Sequence, residues 1–151
     1  MTEAKPEFVR QFELAWKEPR KLFPALFDPR GTLFQSGMER PIGATEIPAH
    51  QESTLKLLPD LAIRPTRWAV NGDDVFIEWS ATGTFLGSAL QWNGASRFTL
   101  SKGLVAEEVA YFDTLPLRAA ADPSLTRADI VGVATDAQRI NLAGLTAEDA
   151  P

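Results

Sequence analysis

The dipeptide Asn71-Gly72 limits this chain's fold more than any other feature. Both residues tolerate positive φ, so the pair favours a tight hairpin turn whose twist matches that of the strands it joins. It lies between residues 63–70 and 75–85, two runs rich in β-branched and aromatic side chains, the second interrupted by Gly83. A third strand is expected over residues 88–101, with Asn93-Gly94 marking a bulge or bend. Lys102-Gly103 then turns the chain into a fourth strand over 104–115. A four-strand antiparallel meander is the expected result.

The residues before Leu61 have a different period. Pro6 suits a first helical turn, and Phe8, Phe12, Ala15 and Trp16 follow at three- and four-residue spacing on one face, until Pro19 stops the helix. Leu22-Phe23 and Leu26-Phe27 make a second short amphipathic segment, which ends at the expected turn Asp28-Pro29-Arg30-Gly31. A short strand over 32–35 and a loop over 37–43 come next. Thr45 is the expected N-cap of a second long helix, with Pro48 in its first turn and Ile47, His50, Thr54, Leu55 and Leu58 on one side, and Pro59-Asp60 ends it. Helices followed by a meander make an α+β fold rather than an alternating α/β one. From Pro116 the chain turns Ala-, Asp- and Thr-rich, with a weak helical pattern over 136–145. This tail reads either as an extension lying loosely on the body or as an arm reaching a partner subunit.

Composition removes several classes of function. The 151 residues make one domain, and 44% hydrophobic content argues against disorder. No apolar run is long enough for a transmembrane helix, and the first residues lack the basic and apolar segments of a secretory signal. A cytoplasmic protein without membrane contact is expected. With no cysteine, disulfides and thiol chemistry are out, and one histidine, His50, rules out a multi-histidine metal site within the chain. The net charge of −5 argues against nucleic acid as a partner. There is no glycine-rich phosphate loop and no nucleophile elbow. The doublets Asp73-Asp74 and Glu107-Glu108 read as solvated surface without metal-ligand spacing, so neither metal nor cofactor is expected.

Seven stretches, taken in order, carry a family likeness: Ala15-Trp16; Gly43-Ala44-Thr45-Glu46-Ile47; Leu58-Pro59-Asp60-Leu61; Gly72-Asp73-Asp74-Val75-Phe76-Ile77-Glu78-Trp79; Thr82-Gly83-Thr84; Arg97-Phe98-Thr99-Leu100; and Tyr111-Phe112-Asp113-Thr114-Leu115-Pro116-Leu117. In them the chain resembles the SnoaL-like group of the nuclear transport factor 2-like superfamily, which includes polyketide cyclases, limonene epoxide hydrolase and ketosteroid isomerase. The resemblance implies a cone-shaped, curved antiparallel sheet wrapped around the N-terminal helices, an α+β barrel. The barrel would span residues 1–118, with 119–151 as a C-terminal extension. It further implies a homodimer formed through the outer sheet face and an apolar pocket inside the cone. In that pocket it implies cofactor-independent acid–base chemistry on a hydrophobic, aromatic or polycyclic small molecule, as a cyclase, isomerase or hydrolase. The same fold also serves non-catalytic ligand-binding and dimerisation proteins, which stand as the alternative.

Asp113 is the first candidate for catalysis. It closes the expected last strand beside Tyr111 and Phe112, and a carboxyl in an apolar cavity has its pKa raised towards neutrality. The competing role is capping of the turn at Thr114-Leu115-Pro116. His50, on the inward stripe of its helix, is the second candidate, as a base or as a hydrogen-bond donor to a substrate oxygen. Trp16, Phe34, Trp68, Trp79, Phe98 and Tyr111 are candidate pocket walls, although core filling explains aromatic residues equally well; Met38 is a candidate pliable rim. Glu78 and Arg97 are expected to pair across strands. Ser96 stands where resembling catalytic members often carry an acid, and the Arg-x-Asp pair of the epoxide hydrolases is absent from that strand. Both departures tell against isomerase-type and epoxide-hydrolase mechanisms.

Overall fold

In the computed structural model, which describes residues 4–122 and 124, two helical segments precede a six-stranded curved sheet. Helix α1 (Glu7–Ala15) starts at Pro6 and buries Phe8, Val9, Phe12 and Ala15 along one side. The helix ends at Ala15, short of Pro19, which instead opens a one-turn helix, α2 (Pro19–Leu22), followed by a 3-10 turn over Pro24–Leu26. Then come β1 (Phe27–Gln35), β2 (Ile42–Gly43), α3 (Ile47–Leu57) and the meander β3 (Ala62–Asn71), β4 (Asp74–Phe85), β5 (Ser88–Ser101) and β6 (Leu104–Phe112). A short helix, α4 (Leu115–Ala121), follows β6.

The sheet order is β2-β1-β6-β5-β4-β3. All neighbours are antiparallel except β1 and β6, so the sheet is mixed where a wholly antiparallel one was expected. The expected turn at Asp28-Pro29-Arg30-Gly31 lies inside β1. There the Asp28 carboxylate accepts the Arg30 N–H at 2.9 Å, and the register against β6 slips between Phe27 and Thr32. Turn chemistry in this place makes a bulge rather than a strand end. Thr45 is not the N-cap of α3. Glu46 fills that position, and its carboxylate reaches back to accept the Gly43 N–H at 2.9 Å and the Arg40 guanidinium at 2.8 Å. Arg97 reaches past Glu78 to Glu107, at 2.6 Å, because the register sets Phe76 and Val109 beside it while Glu78 faces Ala95. The expected helical pattern over 136–145 lies outside the described residues.

The concave face comes from strict alternation. In β4, Val75, Ile77, Trp79, Ala81 and Gly83 are buried, and in β5 Trp92, Ser96 and Phe98. Helix α1 lies on Phe98, whose ring centroid is 4.9 Å from that of Phe8 and 5.5 Å from that of Phe12. Strand β6 breaks the alternation once. Thr99 pairs with Glu107 but Leu100 pairs with Val105, leaving Ala106 as an extra residue. Side chains after this bulge therefore have the opposite parity from that set by Val105. Glu108, Ala110 and Phe112 face inward, and Glu107, Val109 and Tyr111 face outward.

Asn93-Gly94 introduces no register shift, since β4 and β5 pair residue for residue through it. The glycine has a steric role instead. A Cβ on Gly94 would run into the Trp79 ring and come within 2.7 Å of the Tyr111 carbonyl oxygen. Gly94→Ala is expected to destabilise the fold by about 1–3 kcal/mol, as overpacking does. Thermal unfolding followed by circular dichroism should show the midpoint falling by several degrees.

Candidate active site

A cavity of about 300 Å³ lies between the helices and the concave face of the sheet. Its walls are mostly aromatic and aliphatic, and Glu108, fully buried on its sheet side, is the only carboxylate among the described residues that line it. A line of hydrogen bonds holds this group. The Trp79 indole can only donate, and it donates Nε1–H to Ser96 Oγ at 3.1 Å. The Ser96 hydroxyl in turn donates to Glu108 Oε1 at 3.1 Å. Glu108 Oε2 is buried with no partner. Burial raises the Glu108 pKa from 4.5 to about 8, and the Ser96 hydrogen bond opposes this only partly. At neutral pH the group is thus a carboxylic acid. Ser96 holds Oε1, and Oε2 is left without a partner.

His50 also lines the cavity, half-buried on α3. Burial lowers its pKa from 6.5, so its imidazole is neutral at pH 7. The ordinary order of the two groups is thereby inverted, with the carboxyl as acid and the imidazole as free base. Two further residues that line the cavity carry buried polar atoms without partners, the Nε1–H of Trp16 at the end of α1 and the Nε2 amide of Gln51 on α3. Phe12 and Phe23 hold the Trp16 ring in place, with centroids 6.3 and 5.1 Å away. Among the described residues no three His, Cys, Asp or Glu side chains are grouped to hold a metal ion, and no helix is long and apolar enough to cross a membrane.

Of the residues picked out in the sequence, Trp16, Trp79 and His50 line this cavity. Asp113 does not. It lies one step beyond outward-facing Tyr111 in parity, is exposed, and accepts the Leu115 N–H at 3.0 Å, which is the capping geometry. Tyr111, 64% exposed, shares with Asp113 a shallower depression on the outer face. Phe98 is fully buried beneath α1, behind the cavity wall. Phe34 lies on the opposite face of β1 from buried Leu33, and Met38 packs against the core from the following loop without lining the cavity. Trp68 lies on β3 beneath the Lys5 ammonium, 5.4 Å from its ring centroid, and outside the cavity.

Two residues of the site were missed in the sequence. Glu108 was read with Glu107 as solvated, but the doublet divides across the sheet, one carboxylate in the cavity and the other on Arg97. Gln51 lies four residues from both Ile47 and Leu55, and the three form the buried stripe of α3. A polar residue centred on such a stripe was a legible signal. Glu108 had no comparable signal, because its direction depends on the bulge.

The displaced Glu108 pKa has a consequence for stability. The folded protein keeps a proton that the unfolded chain gives up above about pH 4.5, so this contribution is complete below that value and is lost as the pH rises to about 8. Each unit of displacement corresponds to about 1.4 kcal/mol. His50, with a lowered pKa, works in the opposite sense, lowering stability as the pH falls through 6.5 and below. Glu108→Gln should therefore match the parent protein's unfolding midpoint near pH 5 and exceed it at pH 9, as read by thermal melts across that range.

Comparison with known proteins agrees with this architecture. AclR from Streptomyces galilaeus, described as a candidate hydroxylase, superposes with a TM-score of 0.67 at 16% identity, over 91% of this chain and 94% of its own. A protein of ketosteroid isomerase-like fold from Catenulispora acidiphila, solved with trimethylamine, gives 0.69 at 20% identity, over 78% and 93% of the two chains. A candidate SnoaL-like polyketide cyclase from Jannaschia sp. CCS1 gives 0.66 at 19% identity, over 80% and 96%. At these identities the likeness is one of fold. No curated protein matches the sequence. The family model of the SnoaL-like domain matches residues 9–108, two-thirds of the chain, and the chain belongs to that family.

Proposed function

We propose that this SnoaL-like protein is a cofactor-independent acid–base enzyme that cyclises or isomerises a hydrophobic, ring-containing small molecule within the cavity. The observation that carries the reading is the Glu108 carboxyl, desolvated, with one oxygen held by Ser96 and the other unpartnered. The chemistry assigned to it is protonation of a substrate carbonyl oxygen as negative charge develops there. Neutral His50 takes the proton from the carbon next to that carbonyl, and the C–H bonding pair becomes the double bond of an enol. In an isomerisation, the imidazolium returns its proton at a different carbon while the enol O–H gives its proton back to the Glu108 carboxylate and the carbonyl re-forms. In a cyclisation, the enol carbon attacks a second carbonyl and a C–C bond forms as the C=O π pair of that carbonyl becomes an O–H bond with the imidazolium proton, while the enol O–H proton returns to Glu108. In each case both groups end in the protonation states in which they began, with no net loss or gain.

Hydrolysis has less support. It would need an attacking water held beside the reacting bond, in a cavity whose walls are mostly aromatic and aliphatic. A ligand carrier without chemistry would have no use for a buried acid, since an unpaired carboxyl there lowers stability. Similarity in fold to a candidate polyketide cyclase is in keeping with the reading.

Exchange of the α-hydrogens of 1-tetralone and 2-tetralone in heavy water, followed by proton NMR, tests the reading without the natural substrate. The protein should accelerate exchange, Glu108→Gln should lose about 10²–10⁴-fold, and the rate should fall above about pH 8 as Glu108 ionises. Binding of both ketones without any exchange, or undiminished exchange in Glu108→Gln, would contradict the enzyme reading.

A further inference from the structure

The acid–base reading uses Glu108 and His50 but gives no task to the buried, unpartnered Nε1–H of Trp16 and amide of Gln51. We propose that these two groups on the helical side of the cavity form a receptor for a neutral oxygen acceptor of the ligand, remote from the oxygen that Glu108 meets on the sheet side. The inference rests on the cavity being the ligand site, as in the preceding section, and adds what the cavity recognises.

Three observations lead to it. First, an indole N–H can only donate, so burial of Trp16 Nε1 without an acceptor is unfavourable until a ligand supplies one. Second, Gln51 is only 3% exposed and occupies the middle of an otherwise apolar stripe, between Ile47 and Leu55. A leucine there would pack without a desolvation penalty, and the amide makes no hydrogen bond to the described residues that would account for it. Third, among the described residues lining the cavity there is no lysine or arginine. A carboxylate or phosphate on the ligand would be desolvated with no counter-charge, whereas a carbonyl or ether oxygen needs only donors.

Size narrows the class further. An engineered cavity of about 150 Å³ holds one benzene, so 300 Å³ takes about two rings. The geometry points to an uncharged two-ring molecule with oxygen acceptors at opposite ends.

The probes are 1,4-naphthoquinone, with two opposed carbonyl oxygens, naphthalene, of the same outline with none, and 1-naphthoate, which is charged. The chain has no cysteine for the quinone to alkylate. Dissociation constants are measured for the parent protein, Trp16→Phe and Gln51→Leu, and the naphthalene-to-quinone ratio cancels changes in shape and packing common to both probes. The quinone should bind the parent tighter than either other probe, and each variant should reduce the ratio about tenfold. An unchanged ratio in both variants, 1-naphthoate binding as tightly as the quinone, or no quinone binding at millimolar concentration would overturn the inference. None of these readouts involves turnover. Loss of the ratio effect with α-hydrogen exchange intact would remove only the receptor, while the reverse pattern would remove only the acid–base chemistry.

Discussion

One extra residue in β6 decides which side chains the cavity receives. Without Ala106 as a bulge, the parity set by Val105 would continue, turning Glu107 and Val109 inward and Glu108 out to solvent. With it, the face that carries Val105 continues through Glu108, Ala110 and Phe112. The neighbouring strands then complete the site. Phe98 is the β5 partner of Glu108, while Ser96, two residues along on the same face, supplies the hydroxyl that the carboxyl binds. Trp79 on β4 orients that hydroxyl, and Gly94 leaves the space that the Trp79 ring needs. Four residues on three adjacent strands thus set the surroundings of one carboxyl.

A buried neutral carboxyl is a compromise. Its desolvation weakens the fold as the pH rises, and an aliphatic side chain at the same place would avoid that loss. The surrounding structure tolerates it because a well-packed core lies alongside. Val9, Phe12, Ile47, Ile77, Phe98 and Val105 are almost fully buried between the helices and the sheet. Trp16, Gln51 and Glu108, which line the cavity, all carry buried polar atoms without partners. Buried polar atoms without partners are thus concentrated among the residues that line one cavity, and the reading proposed for that cavity gives them a use.

The fold was largely legible because it rests on local signals. Asn71-Gly72 and Lys102-Gly103 marked the hairpins, and the spacing of Phe8, Phe12 and Ala15 marked the first helix. Two long-range features were not legible. The parallel pairing of β1 with β6 joins strands about 75 residues apart, so no neighbouring residues encode it. Turn chemistry at Asp28-Pro29-Arg30-Gly31 was recognisable, but whether it ends a strand or bulges one depends on the partner strand. The site was legible in part. His50, Trp16 and Trp79 follow from the faces of their own elements, whereas Asp113 and Tyr111 were assigned inward on a strand whose parity had already shifted. Gln51 was within reach of the helical period and was overlooked as a polar residue on a buried stripe.

A desolvated acid on the sheet and a neutral imidazole on a helix line one cavity of this SnoaL-like protein. The chemistry proposed for it turns on Glu108 being protonated at neutral pH. The most direct check is carbon-detected NMR titration of the glutamate side-chain carboxyls, with Glu108→Gln used to assign the signal. A midpoint near 8 is the predicted result. A midpoint near the ordinary value of 4.5 would mean that water reaches the carboxyl, and the account of the site would fail with it.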